Sequence, residues 1–147
     1  DYSVETADAL VDFWKNLTRI LFSVIPAIVA IGVVVGGIVI MNIMLMSVTE
    51  RTHEIGVRKA MGAKRGDIQR QFLVEAIVLA SIGGLFGVVA GWGLAGLVSL
   101  ASPLPARVSL WSVMLALSLG AGVGVLFGVY PASRAAQLDP IDALRAE

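Results

Sequence analysis

Three stretches of this chain carry no charged side chain at all: residues 20–49, 76–106 and 108–133. A helix crossing a bilayer needs roughly 20 mostly apolar residues, each rising about 1.5 Å. Every stretch meets that length, and a small soluble core gives no reason for three of them. Composition agrees. Hydrophobic residues make up 57% and charged residues 15% of the 147, and mean hydropathy is +0.86, outside the usual globular balance. The expected fold is an all-α membrane protein with three transmembrane helices.

The polar segments divide the chain. Residues 1–19 place Ala9 or Leu10, Phe13 or Trp14, and Leu17 at helical spacing. They read as an amphipathic extracytoplasmic stalk helix, with Trp14 and Arg19 suited to the interface. Spans are expected at 20–48, 72–100 and 110–130, with Pro26 placed to kink the first. A connector at 49–71, the turn "SPLPAR" within 101–109 and a tail at 131–147 join and close them. In the tail, Asp139, Pro140 and Asp142 read as N-cap, first helical position and first-turn acid of a short helix.

Orientation follows from basic residues. Arg51, Arg58, Lys59, Lys64, Arg65 and Arg70 lie in the connector, six of eleven in the chain, while the later turn has only Arg107. Basic loops stay cytoplasmic. The connector and tail are therefore expected inside, and residues 1–19 and the turn outside. Asp1 follows no methionine and no basic segment precedes the first apolar run, so that run is not a signal peptide, and the chain is expected to be part of a longer protein.

Within the spans the recurring feature is small residues every fourth position: Gly32 and Gly36, then Gly83, Gly87, Gly91 and Ala95, then Ala116, Gly120, Gly124, Gly128 and Ala132. Such stripes let helix backbones meet in lipid and predict a tight bundle or dimer. The uncharged spans lack the buried ionisable groups that mark ion paths and proton relays. Asn42 reads as a helix–helix hydrogen-bond residue. No chemistry of catalysis or nucleotide binding is visible. "GVRKAMGAK" (56–64) misses the phosphate-loop spacing, with five residues between its glycines and Ala63 where lysine should follow. His53 is the only histidine and there is no cysteine, so His53 reads as a solvated loop residue, and no metal or nucleic acid is expected.

Residues 52–62, "THEIGVRKAMG", read as one short helix, with Thr52 as its cap, Glu54 in its first turn, Arg58 and Lys59 near its end and Gly62 left-handed after it. Its apolar strip of Ile55, Gly56, Ala60 and Met61 exceeds what a short loop can cover. Two readings follow from physics alone: docking in a protein groove, or lying on lipid headgroups.

The block "MNIMLMSVTERTHEIGVRKAMGAKRGDIQRQFLVEA" (41–76), with "YPASRAAQLDPIDAL" (130–144), resembles the membrane subunit of MacB-like ABC transporters in the FtsX-like permease family. The resemblance runs from about residue 20 to the end. It implies the last three of four helices per protomer, a homodimer (or paired permease) in the bacterial inner membrane, and mechanotransmission driven by a fused or separate ABC ATP-binding domain. ATP and Mg would sit on that domain, with no cofactor and no enzyme activity in this segment. A periplasmic adaptor and outer-membrane channel are further implied partners. Glu54, Ile55, Gly56, Val57, Arg58, Lys59, Ala60, Met61 and Gly62 correspond to the family's coupling helix. There Ile55 and Met61 would be apolar knobs, Arg58 and Lys59 would pair with acidic groups, and Gly56 would allow close approach. Pro131, Arg134 and Pro140 match its cytoplasmic end beside the same partner. Efflux of drugs, peptides or other amphiphiles is the implied activity. Lipoprotein release, or signalling to cell-wall hydrolases, are the alternatives within the family.

Overall fold

A computed structural model describes residues 2–103 and 106–145. Five helices follow in order: α1 Tyr2–Glu50, α2 Thr52–Ala60, α3 Arg65–Ala101, α4 Leu110–Ala136 and α5 Pro140–Arg145. There is no strand among the described residues. Three of the helices, α1, α3 and α4, are long and apolar enough to cross a membrane. The chain is thus an all-α, multi-pass membrane protein by helix length and apolarity. Part of the expected turn, Leu104 and Pro105, lies outside the described residues, as do Asp1 and the tail's last two, Ala146 and Glu147.

The chain divides into two units, residues 1–36 and 37–147. In the first, α1 passes through Pro26 without a break. Phe13 and Trp14 meet edge to face with centroids 6.0 Å apart. Ile20, Phe22, Ile28 and Ile31 are exposed there, the pattern of a helix whose apolar surface meets lipid tails. A Cβ added at Gly32 or Gly36 would meet nothing within 4 Å, so among the described residues this pair packs against no neighbour.

In the second unit the core gathers at one end of the long helices. Met44 and Val48 of α1, Ile55 of α2, Ile68, Phe72 and Ala76 of α3, and Ala132 and Ala135 of α4 form one buried cluster. Next to that core, between Ala76 and Gly84 of α3 and Ala116 and Gly128 of α4, the two helices are joined by small residues. A Cβ at Gly120 would lie 3.3 Å from the Ala80 carbonyl oxygen, and one at Gly124 would lie 2.8 Å from Ile77 Cα. Gly128 abuts Ala76, and Gly84 faces Ala116 and Gly120. The α4 stripe therefore packs as a small-residue seam. Its partner on α3 is not the expected Gly83, Gly87 and Gly91, which face open space. The seam runs one residue aside, through Ala76, Ala80 and Gly84, because a shift of one residue turns a helix by about 100°. Gly37, outside any expected stripe, is buried beneath the Phe127 ring. Asn42 is exposed on α1.

α1 joins the expected stalk and first span in one helix, and two further helix limits differ from the expected spans. α3 starts at Arg65, inside the 49–71 connector, where the Asp67 carboxylate accepts from the Lys64 backbone N–H at 3.3 Å. That acid in the first turn is a helix-start signal. α4 continues past Tyr130 to Ala136, through Pro131. Proline costs about 3 kcal/mol in a helix interior. Here the continuation buries Pro131, Ala132, Ala135 and Ala136, and that burial favours the helix.

Candidate functional site

The charged block of the sequence folds into a corner built from α2, the ends of α1 and α4, and α5. Only Arg51 separates α1 from α2. The backbone ladder runs on through it, with the Arg51 N–H on Ser47 O and the Ile55 N–H on Arg51 O, each at 3.0 Å. Thr52 does not cap α2, correcting the expectation. Its hydroxyl donates backwards to Val48 O at 3.0 Å and Thr49 O at 2.8 Å. Without a gap between the helices, that hydroxyl has the last carbonyls of α1 beside it. The other end of α2 closes as expected. The N–H groups of Gly62 and Ala63 bond back to Lys59 O and Arg58 O at 3.1 and 3.0 Å, and Gly62 takes φ +105°. This is the paired bonding of a glycine C-terminal cap.

Arg51 ties the corner to α3. Its guanidinium donates to Glu54 at 3.4 Å and Glu75 at 3.2 Å, and stacks over the Phe72 ring at 5.2 Å. Burial works to lower its pKa, but bonds and charge from Glu54 and Glu75 outweigh that and leave it raised.

α2 presents two faces of opposite character. Inward, Ile55 is 3% exposed in the core. Gly56 lies against α5, where a Cβ would come within 2.6 Å of Ala143 Cβ. The Lys59 ammonium donates to the backbone carbonyls of Ala136 and Leu138, the last residue of α4 and one two positions beyond it. Burial, then the positive charge of Arg65, hold the Lys59 pKa below an ordinary lysine's, against an opposing pull from Asp139. Outward stand His53, Glu54, Val57, Arg58, Ala60 and Met61, the last 84% exposed. Arg58 pairs with Glu54 at 3.6 Å and donates to Gln71.

This arrangement revises several expected roles. Ile55 and Lys59 face into their own chain, so neither serves as an outward knob or charge. The closest approach at Gly56 is made by α5. Ile55 is covered by the core cluster of α1, α3 and α4, and Gly56 beside it by α5, far along the sequence. The Asp139 side chain accepts from the Ile141 N–H at 2.9 Å, with Pro140 first in α5, the capped short helix expected. Of the expected tail contacts, Pro131 is fully buried, Pro140 partly so, and Arg134 is exposed with its guanidinium on the Tyr130 hydroxyl at 3.2 Å. Sequence reasoning missed Arg51, Gln69, whose amide donates to Ser133 Oγ at 3.2 Å, and Ala143. The acids three and twenty-four residues after Arg51 were the only available signal for that residue.

Residues 26–140 match the family described as FtsX-like permease C-terminal. The ABC transporter permease YknZ of Bacillus subtilis is 47% identical over 146 residues, covering 99% of this chain and 37% of the relative. A macrolide export ATP-binding/permease protein MacB of Bdellovibrio bacteriovorus is 52% identical over 133 residues, covering 90% of this chain and 20% of its own. Its counterpart in Neisseria meningitidis is 45% identical over 149 residues, covering 98% and 22%. The chain thus spans about a third of one relative and a fifth of the others. The matched region holds α2, α3 and α4 whole and the second half of α1, and the chain belongs to the FtsX-like permease family.

Proposed function

We propose that this chain is the membrane portion of a MacB-like ABC exporter permease, and that α2 is the element through which an ATP-binding domain moves the spanning helices. One observation carries the reading: α2 is held from inside by Ile55, Gly56 and Lys59 while Val57, Arg58 and Met61 stand exposed. Burying apolar side chains on one face and leaving apolar and basic ones on the other suits a helix clamped to its own domain and offered to a partner. The kinship with MacB proteins and permeases supports the same reading.

In this scheme the basic connector and tail lie in the cytoplasm of a bacterium, by the bias of lysine and arginine. The permease works as a homodimer in the inner membrane. ATP and Mg bind to the partner domain, and hydrolysis there shifts α2 and with it the long helices. Motion reaches the outer side along α1, and an adaptor and outer-membrane channel complete the export of drugs, peptides or other amphiphiles. Spans without internal charges suit work done outside the bilayer better than conduction through it.

The test uses the full-length permease with its ATPase in liposomes. Val57, Arg58 and Met61 are replaced by V57E, R58E and M61E, singly and together. The expected result is normal insertion, loss of ATPase co-purification and loss of transport-linked hydrolysis. A triple variant with wild-type complex and turnover refutes docking and makes α2 a membrane-surface helix.

A further inference from the structure

Lysine 59 sits among residues that docking would use, yet its ammonium points away from them. It reaches across to α4 and donates to the carbonyls of Ala136 and Leu138. The Ala136 carbonyl is the last of α4, at the negative end of the helix macrodipole where a lysine ammonium is favoured, and Leu138 follows two residues beyond the helix. Ala136 is itself buried, so the carbonyl beside it cannot rely on water alone. Three residues earlier on α2, Gly56 lets Ala143 of α5 approach to a distance no larger residue would permit. The two contacts lie on the same inward face of α2 and engage α4 and α5, the two elements that follow one another at the chain's end.

We infer that Lys59 is a positioning residue that bolts the coupling helix to the end of the last spanning helix, so that displacement of α2 is delivered directly to α4. The inference rests on the proposed coupling role of α2. It assigns Lys59 to transmission within the chain and leaves partner binding to Val57, Arg58 and Met61. Arg65 and Asp139, on α3 and before α5, are the charged groups facing the ammonium. Their opposite signs leave the two carbonyls as the acceptors that fix its place. Removing the ammonium frees the far end of α2 and leaves its outward face unchanged.

The experiment uses the full-length transporter with its ATPase in lipid nanodiscs, comparing wild type, K59M and K59R. Spin labels at His53 and Gln137, both exposed, report the α2-to-α4 distance. K59M is expected to keep the ATPase bound, to broaden the distance distribution, and to lose transport-linked hydrolysis by about tenfold. Tenfold corresponds to about 1.4 kcal/mol, a floor for a change that removes both charge-assisted hydrogen bonds. K59R, which keeps a cationic donor, is expected to restore a narrow distribution and most of the turnover. A narrow distribution with wild-type turnover in K59M overturns the inference. So does ATPase loss in K59M with the distance unchanged, which would place Lys59 in the docking face and uphold the docking reading itself. If V57E, R58E and M61E together leave docking intact, the coupling reading fails on its own terms, whatever K59M does.

Discussion

Alanine at Gly124 adds one methyl group where α3 and α4 leave no room for it. Its Cβ would lie 2.8 Å from Ile77 Cα, 3.0 Å from the Ala76 carbonyl oxygen and 3.0 Å from Ala80 Cβ. Carbon atoms in contact settle about 3.5–4.0 Å apart, so α3 must retreat by roughly 0.7 Å. Two of the three obstructing atoms belong to backbone, so no rotamer change relieves the clash. A gap of that size forfeits a quarter to a half of each dispersion well along the seam. Overpacking of this kind costs about 1–3 kcal/mol. Alanine's better helix propensity works the other way by up to about 1 kcal/mol. Gly87→Ala isolates that propensity term, because nothing lies within 4 Å of its Cβ. Reversible unfolding in mixed detergent micelles should place Gly124→Ala below Gly87→Ala by about 1–3 kcal/mol. Equal midpoints for the two variants would refute the seam.

Other consequences are equally open to measurement. Ile55→Ala should destabilise the fold by about 2–4 kcal/mol in the same assay, as expected for a buried side chain that leaves a cavity; an unchanged midpoint would return Ile55 to the surface. Gly62→Ala should cost about 1 kcal/mol or more through its positive φ, visible as earlier amide exchange in α2. Because the folded pKa of Lys59 lies below its unfolded value, its titration adds stability that is complete above the unfolded pKa and is lost as pH falls through the folded one. Wild type should therefore gain on K59M as pH rises through that alkaline window; a constant difference across it would contradict the burial. Cysteines replacing His53 and Pro103, both exposed, should label from opposite sides of the membrane, and labelling from one side would overturn the proposed orientation.

The spans were readable because lipid demands long uncharged helices whatever their partners. Helix ends were readable where local chemistry decides them, as at Gly62 and at Asp139 with Pro140. Packing was not. Small residues lie on several faces of α3, and only the three-dimensional pairing selects Ala76, Ala80 and Gly84 over Gly83, Gly87 and Gly91. The Lys59 tie spans 77 positions to a backbone carbonyl, a group every residue carries and no pattern announces. The end of the last span at 130 fell short for a related reason: local propensity disfavours a helix through Pro131, while burial of the following alanines extends it.

The single residue between α1 and α2 limits how the corner can move. With Arg51 alone as the joint, and backbone bonds from Arg51 N–H to Ser47 O and from Ile55 N–H to Arg51 O crossing it, any change of angle between α1 and α2 falls on one pair of backbone dihedrals, now at φ −102° and ψ 17°, in a sparsely occupied region. Nine residues make a lever of roughly 13 Å at 1.5 Å each. A turn of about 20° at the joint therefore carries the far tip some 4–5 Å, about the pitch of one helical turn. The far tip is where Lys59 holds α4. In the proposed coupling scheme, joint, lever and bolt form a closed kinematic chain, so that a change of angle between the end of α1 and α2 carries the end of α4 along an arc.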